Sequence, residues 1–227
     1  MRDRRTIRVT GKGLLKLRPD LTRLTLTLQG TDPDYGETLR QSAEKTETLR
    51  SVLEKLGFAR EALKTTQFNV DTIYEGYQDE KGVYRNRFTG YQFQHVLKVE
   101  FPSDNELLGR MLYALAHCDV APEFRIGYTL SDPESAKNAL LEQAVRDARA
   151  KAEVLTAAAG QRLGTLLHID YTFGAPDFEV RPMRKLAAAC NGMEESAQYD
   201  MSIEPEDVSV SDTVTVLWEI KETGESA

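Results

Sequence analysis

Apolar and polar positions alternate almost from the start of the chain. Ile7 and Val9 alternate with Arg8 and Thr10, Gly11-Lys12-Gly13 interrupts, and Leu15 and Leu17 resume the pattern. After the turn pair Pro19-Asp20, Leu24, Leu26 and Leu28 alternate with Thr25, Thr27 and Gln29. A period of two on both sides of a turn predicts a half-buried strand pair. The interval then lengthens. Leu39, Ala43, Thr46, Leu49, Leu53 and Leu56 step by three or four residues, the spacing of one helix face. Asp32-Pro33 is placed to open that helix, with Asp32 as its cap, and Gly57 to close it.

The period of two returns at Phe68, Val70, Thr72 and Tyr74, followed by a polar connection over 78–87. Tyr91, Phe93, His95, Leu97, Val99 and Phe101 then share one face of the clearest strand. Asn105 to Ala116 reads as a short helix capped by Ser103, and Phe124, Ile126 and Tyr128 as a strand. Asp132-Pro133 opens a long helix ending at Gly160. Its stripe of Ala136, Leu140, Ala144, Ala148, Ala152, Leu155 and Ala159 is mostly small, which lets a helix backbone lie close to its neighbour. Leu167, Ile169, Tyr171 and Phe173 form another strand, and Val208 to Ile220 a last one. Between them, 174–206 is long for a connection inside a domain and reads as a mobile excursion.

Leu24, Leu26, Leu28 and Asp32-Pro33 have counterparts 100 residues later in Phe124, Ile126, Tyr128 and Asp132-Pro133. Each set leads into a long helix and two strands. The pattern predicts a strand–helix–strand–strand repeat with halves 19–101 and 122–221, inside one domain covering 1–227. The fold class is α+β: a mixed or antiparallel sheet packed by two long helices.

Composition narrows the partners. Of 227 residues, 41% are hydrophobic and 29% charged, which excludes a disordered chain, a collagen and a coiled-coil rod. The 36 acidic residues outnumber 29 basic ones, and the net charge of −7 repels nucleic acid and anionic membranes. No stretch approaches the ~18 apolar residues of a membrane helix, so no membrane insertion is expected. Arg2, Arg4 and Arg5 are followed by a strand pattern, not the apolar core of a signal peptide. The expected location is therefore cytoplasmic, or periplasmic or secreted if a leader has been removed. Cys118 and Cys190 are expected as two unpaired thiols.

Candidate chemistry is sparse. His95 lies among apolar neighbours, where a hydrogen-bonded core histidine is the plain reading and a ligand or base the sharper one. His117 adjoins Cys118, but neighbouring residues seldom reach one ion, so no metal is assigned. Gly11-Lys12-Gly13 lacks the spacing and following helix of a phosphate loop and reads as a bulge or bend. No catalytic residue and no cofactor are assigned. The charge run from Arg146 to Glu153 reads as a solvated helix face. Tyr74, Tyr77, Tyr84 and Phe88 are the candidate ligand groove. Arg181, Met183, Arg184, Lys185 and Leu186 are the candidate interaction residues in the long excursion.

Three segments together carry a family resemblance. They are Val9-Thr10-Gly11-Lys12-Gly13 with Pro19-Asp20, then Gly90-Tyr91, then the run Ala144 to Leu155 with Ala159-Gly160 and Leu163-Gly164. The chain resembles the SIMPL-domain family, which includes bacterial periplasmic immunogens and a mammalian kinase-associated signalling protein. It departs from that pattern where Glu206 follows Pro205 in place of glycine, and where Thr72 stands at a common proline position. The resemblance implies an α+β fold and, for periplasmic relatives, ring- or channel-like oligomers. It carries over no catalytic residue. The resulting expectation is a non-enzymatic, homo-oligomeric scaffold or protein-interaction module. A small-ligand-binding protein using the aromatic strands 68–101 is the alternative, and an unrecognised hydrolase the third reading.

Overall fold

The computed structural model describes residues 5–172, 178–180 and 203–222. The α+β fold with antiparallel pairing and two long helices is what the chain forms, and its strands divide between two sheets. The residues gather into two compact units. One contains Met1–Pro19, Thr129–Val180 and Glu206–Ala227, the other Asp20–Tyr128 and Arg181–Pro205. The candidate interaction residues Arg181, Met183, Arg184, Lys185 and Leu186, and also Cys190, lie outside the described residues.

In the second unit, β2 (Leu21–Asp32), β3 (Lys64–Gln78), β4 (Tyr84–Pro102) and β5 (Glu123–Thr129) form a sheet in the order β3-β4-β2-β5. Helix α1 (Tyr35–Lys55) packs over β2 and β4, and α2 (Asn105–Ala116) joins the same core. Leu24, Leu26 and Leu28 of β2 meet Phe93, Leu97 and Val99 of β4, with Leu49 and Leu53 closing the layer from α1. Each such fully buried side chain contributes roughly 1.5–3 kcal/mol relative to exposure. The caps fall later than the pattern placed them. Asp34, not Asp32, accepts from Glu37 N, and Asp32 instead accepts from Asp34 N. Asp104, not Ser103, accepts from Glu106 N and Leu107 N. Gly57 closes α1 at φ 91°.

The buried face of α1 is also rotated from the expected one. Thr38, Ser42 and Thr46 point inward above Leu49 and Leu53, while Leu39 and Ala43 are exposed. The inward threonines are tolerated because Thr38 Oγ1 donates to Asp34 O at 2.8 Å and Thr46 Oγ1 to Ser42 O at 2.7 Å.

In the first unit, β1 (Thr6–Leu17), β6 (Gln161–Asp170) and β7 (Val208–Glu222) form a sheet in the order β1-β7-β6, with α3 (Pro133–Ala158) packed on it. Asp132 caps α3 and Pro133 opens it, as the sequence suggests. Both units contain a helix followed by two antiparallel strands, α1–β3–β4 and α3–β6–β7. Beside β4 stands β2, and beside β7 stands β1.

No bulge or bend interrupts β1; its register against β7 is unbroken from Thr6 to Leu17. Gly11 and Gly13 instead continue the inward face of Ile7 and Val9. A Cβ on Gly11 would lie 2.0 Å from Ala144 O and 2.7 Å from Ala148 Cβ, and one on Gly13 would lie 2.2 Å from Leu140 O. The buried ridge of α3 is Ala136, Leu140, Ala144, Ala148, Ala152 and Thr156; Leu155 and Ala159 of the expected stripe are exposed.

Part of the charge run has a second task. Asp147 Oδ2 accepts from Lys12 N at 2.8 Å as well as from Lys151 Nζ at 2.6 Å. Gln143 Oε1 accepts from Leu14 N at 2.8 Å. Two amides on the outer side of edge strand β1 are thereby closed to other strands. The Lys151 ammonium and the Lys12 amide together hold the Asp147 carboxyl below the usual carboxylate range.

A methyl group at position 11 has nowhere to go except into backbone. Gly11→Ala is expected to lower stability by about 2–3 kcal/mol in a urea titration. Gly76→Ala, whose nearest neighbour would be Asn86 Oδ1 at 3.7 Å, should stay within about 0.5 kcal/mol of the parent. Equal effects would contradict the backbone contact.

Candidate functional site

Because α1 lies over β2 and β4, the inner side of edge strand β3 is left beside it as the floor of an open depression. Its volume is about 700 Å³, within the usual range for small-molecule sites. Leu39 and Ala43 of α1 and Phe68 of β3 supply the apolar wall, Leu39 being 36% and Phe68 43% exposed. Ser42, Thr46 and Arg50 from α1, Thr65 from β3 and His95 from β4 supply the polar floor.

His95 is half-buried at the centre of that floor. Its Nδ1 lies 3.2 Å from both Ser42 Oγ and Thr46 Oγ1, and its Nε2 lies 2.8 Å from Thr65 Oγ1. Thr46 has already given its hydroxyl proton to Ser42 O, so it can only accept from the ring. That network assigns the proton to Nδ1 and leaves Nε2 to accept from the Thr65 hydroxyl. The Phe68 ring meets the imidazole edge-on at 5.0 Å.

Burial, and secondarily the Arg50 guanidinium, push the His95 pKa below its ordinary value. The imidazole is thus neutral at pH 7. A Thr–His pair has the outline of nucleophile and base, but no carboxylate is bonded to this ring among the described residues to steady an imidazolium.

The expected ligand groove sits elsewhere, on the outer part of the β3–β4 ribbon. Half of the 78–87 connection is strand, and the turn is confined to 79–83. Asp79 organises that turn by accepting from Lys81 N and Val83 N, both at 3.0 Å, and from Arg85 Nε at 2.7 Å. Register places Tyr74 opposite Phe88 and Gln78 opposite Tyr84, so Tyr74, Phe88 and Tyr84 share a face. Tyr77 stands opposite Arg85 and shares the other face with the Glu75–Arg87 ion pair. The four residues therefore do not converge on one groove.

Tyr74 and Phe88 belong to a longer aromatic row. The Tyr74 and Phe88 rings lie 5.9 Å apart, Phe88 and Tyr91 5.2 Å, and Tyr91 and Tyr35 of α1 5.2 Å. A bulge between Ile73 and Tyr74 makes this possible by bringing Phe88 and Tyr91 to the same side. Gly90 sits at the bulge with φ 150°, where a Cβ would lie 2.6 Å from Asp32 O.

Sequence reasoning found His95 but missed Ser42, Thr46, Thr65 and Arg50 as its surroundings. The available signal was Thr38, Ser42 and Thr46 at intervals of four, a hydroxyl ridge on a helix otherwise read as apolar. His168 is exposed and bonded to Asp170. His117 stacks on Tyr113 and its Nδ1 lies 2.8 Å from Tyr113 O, while Cys118 Sγ donates to Leu115 O. No metal-binding cluster of three side chains occurs among the described residues.

Residues 7–218 match the family model described as SIMPL, protein of unknown function (DUF541), so the match runs through both units. The 26 kDa periplasmic immunogenic protein of Brucella melitensis is 27% identical over 165 residues, or 72% of this chain and 65% of that protein. The protein of the same name from Brucella abortus is 26% identical over 165 residues, with the same coverage. The chain thus spans just under two thirds of the length of these curated relatives. No described helix is long and apolar enough to cross a membrane.

The neutral histidine has a pH signature. Its folded pKa is lowered, so between that value and the unfolded value near 6.5 the unfolded chain binds the additional proton. This contribution to stability is full above about pH 6.5 and declines as pH falls toward the folded pKa. The melting temperature of the parent should drop more between pH 7.5 and pH 5.5 than that of His95→Gln. An identical drop in both proteins would show that His95 is not held neutral.

Proposed function

Because the chain belongs to the SIMPL family, whose description names no activity, we propose its role from its own uncovered surfaces: a non-enzymatic interaction module that assembles with further copies of itself. The observation that carries this reading is the aromatic face of the β3–β4 ribbon. Tyr74 is 57% exposed and Tyr84 81%, and Phe88 is also exposed. The opposite face carries the Glu75–Arg87 pair and Tyr77. A two-stranded ribbon with one solvated and one aromatic face has the amphipathic pattern of half a packed layer, and a bare hairpin is marginal in water. A second copy brings an identical aromatic face, and ring-on-ring packing is favourable in the edge-to-face geometry already present within each row.

Among the described residues no carboxylate partners His95, so the scaffold reading leaves the Thr65–His95 pair a structural one. Periplasmic placement is part of the proposal, taken over from the names of the two relatives; the cytoplasmic expectation draws no support from them. The excursion 174–206 was expected to take part in assembly, and most of it lies outside the described residues.

Light scattering coupled to gel filtration tests the proposal on the full chain at tens of micromolar. A mass above that of a single chain is expected, falling to the single-chain value in the triple variant Tyr74→Ser, Tyr84→Ser, Phe88→Ser with an unchanged far-ultraviolet circular dichroism spectrum. A single-chain mass for the parent would overturn self-association, and an oligomer that survives the triple variant would overturn the ribbon as its interface.

A further inference from the structure

The depression beside α1 is separate from the outer ribbon and poses its own question. Leu39 and Ala43 hold positions in the apolar pattern of α1, yet they face open space with Phe68. Beneath them, the acceptor of His95 is taken by Thr65 and its donor by Ser42 and Thr46. Arg50 is the group left over. Its Nε is shielded from solvent and has no hydrogen-bond partner among the described residues, and its Nη1 reaches Glu47 only at 3.5 Å. A shielded guanidinium donor without an acceptor is costly, because its hydration has been lost and not replaced.

The two carboxylates at the rim do not fill that need. Glu47 Oε2 accepts from Arg60 Nη2 at 2.5 Å, and Glu44 is paired with Arg40. Each rim carboxylate thus has a closer cation than Arg50. A planar guanidinium matches a carboxylate with two parallel hydrogen bonds, a geometry that a hydroxyl or a cation cannot supply. The apolar wall lies on the same depression, and its volume suits a small molecule.

We propose that this depression is a binding site for a small amphipathic carboxylate, whose anionic end lies on the Arg50 guanidinium and whose apolar body covers Leu39, Ala43 and Phe68. The site requires no oligomer, since every residue named belongs to one unit of one chain. Binding would give the guanidinium a closer acceptor than Glu47, which stands 3.5 Å away and is shared with Arg60, and would remove the exposed apolar wall from water.

Equilibrium dialysis of the full chain against radiolabelled decanoate, kept below its micelle-forming concentration, tests the proposal. Saturable binding of one decanoate per chain is expected, with uncharged decanol at least about tenfold weaker, as loss of a charge-assisted hydrogen bond implies. Arg50→Gln should weaken decanoate by about tenfold or more while leaving decanol unchanged, and Phe68→Ser should weaken both. Lys55→Gln, a cation on the same helix but outside this depression, should bind decanoate as the parent does. Melting curves of the variants guard against unfolding as the cause. Absence of saturable decanoate binding, equal affinity for decanol, or parental affinity in a folded Arg50→Gln variant would each overturn the site. Because the measurement counts ligand per chain, its failure leaves the assembly proposal standing, and failure of assembly leaves this site standing.

Discussion

The backbone contact between α3 and β1 is the constraint around which the first unit is arranged. A Cβ at Gly11 would sit 2.0 Å from Ala144 O, so strand and helix main chains touch with no side chain between them. Such proximity demands glycine on the strand and small residues on the helix, and Ala144, Ala148 and Ala152 meet the demand with no exposed surface. It also brings Asp147 and Gln143 within reach of the Lys12 and Leu14 amides. The packing that buries one face of β1 therefore closes its edge as well. Shape and edge protection come from one contact.

The second unit solves the same problem less completely. Helix α1 also rests on its sheet along a ridge of residues four apart, but Thr38, Ser42 and Thr46 occupy it, and they are centred over β2 and β4. Among the described residues, edge strand β3 receives no comparable cover on its inner side. What remains open is a depression floored by His95 and, farther along β3, an aromatic row running through Tyr74, Phe88, Tyr91 and Tyr35.

The legible part of the structure is the part governed by periodicity. The period-two strands, the two long helices, the glycine stops and the α+β class follow from side-chain alternation and capping chemistry, which are local. Gly11-Lys12-Gly13 was legible as unusual but not as regular strand, because its glycines answer to a helix more than a hundred residues away in the chain. The rotated face of α1 was hidden for a related reason. Back-bonding to the helix carbonyls lets threonine and serine replace leucine inside, and no apolar count registers that exchange. His95 was visible, whereas Thr65 and Arg50 become its neighbours only through the pairing of β3 with β4 and the placement of α1. The groove residues were half legible: alternation identifies the aromatic ribbon, and register divides Tyr77 from the other three.

The fold closes the β1 edge from within, and the proposed assembly would cover the aromatic face of the β3–β4 ribbon with another copy. Amide hydrogen exchange of the full chain, followed at high and at low protein concentration, reads both halves at once. On this account the Lys12 and Leu14 amides exchange slowly and at the same rate at both concentrations, since Asp147 and Gln143 of the same chain hold them. The hairpin amides around Tyr74, Tyr84 and Phe88 should exchange more slowly in the concentrated sample than on dilution. Hairpin exchange at the same rate in both samples, or Lys12 and Leu14 amides as labile as a bare edge, would contradict this account.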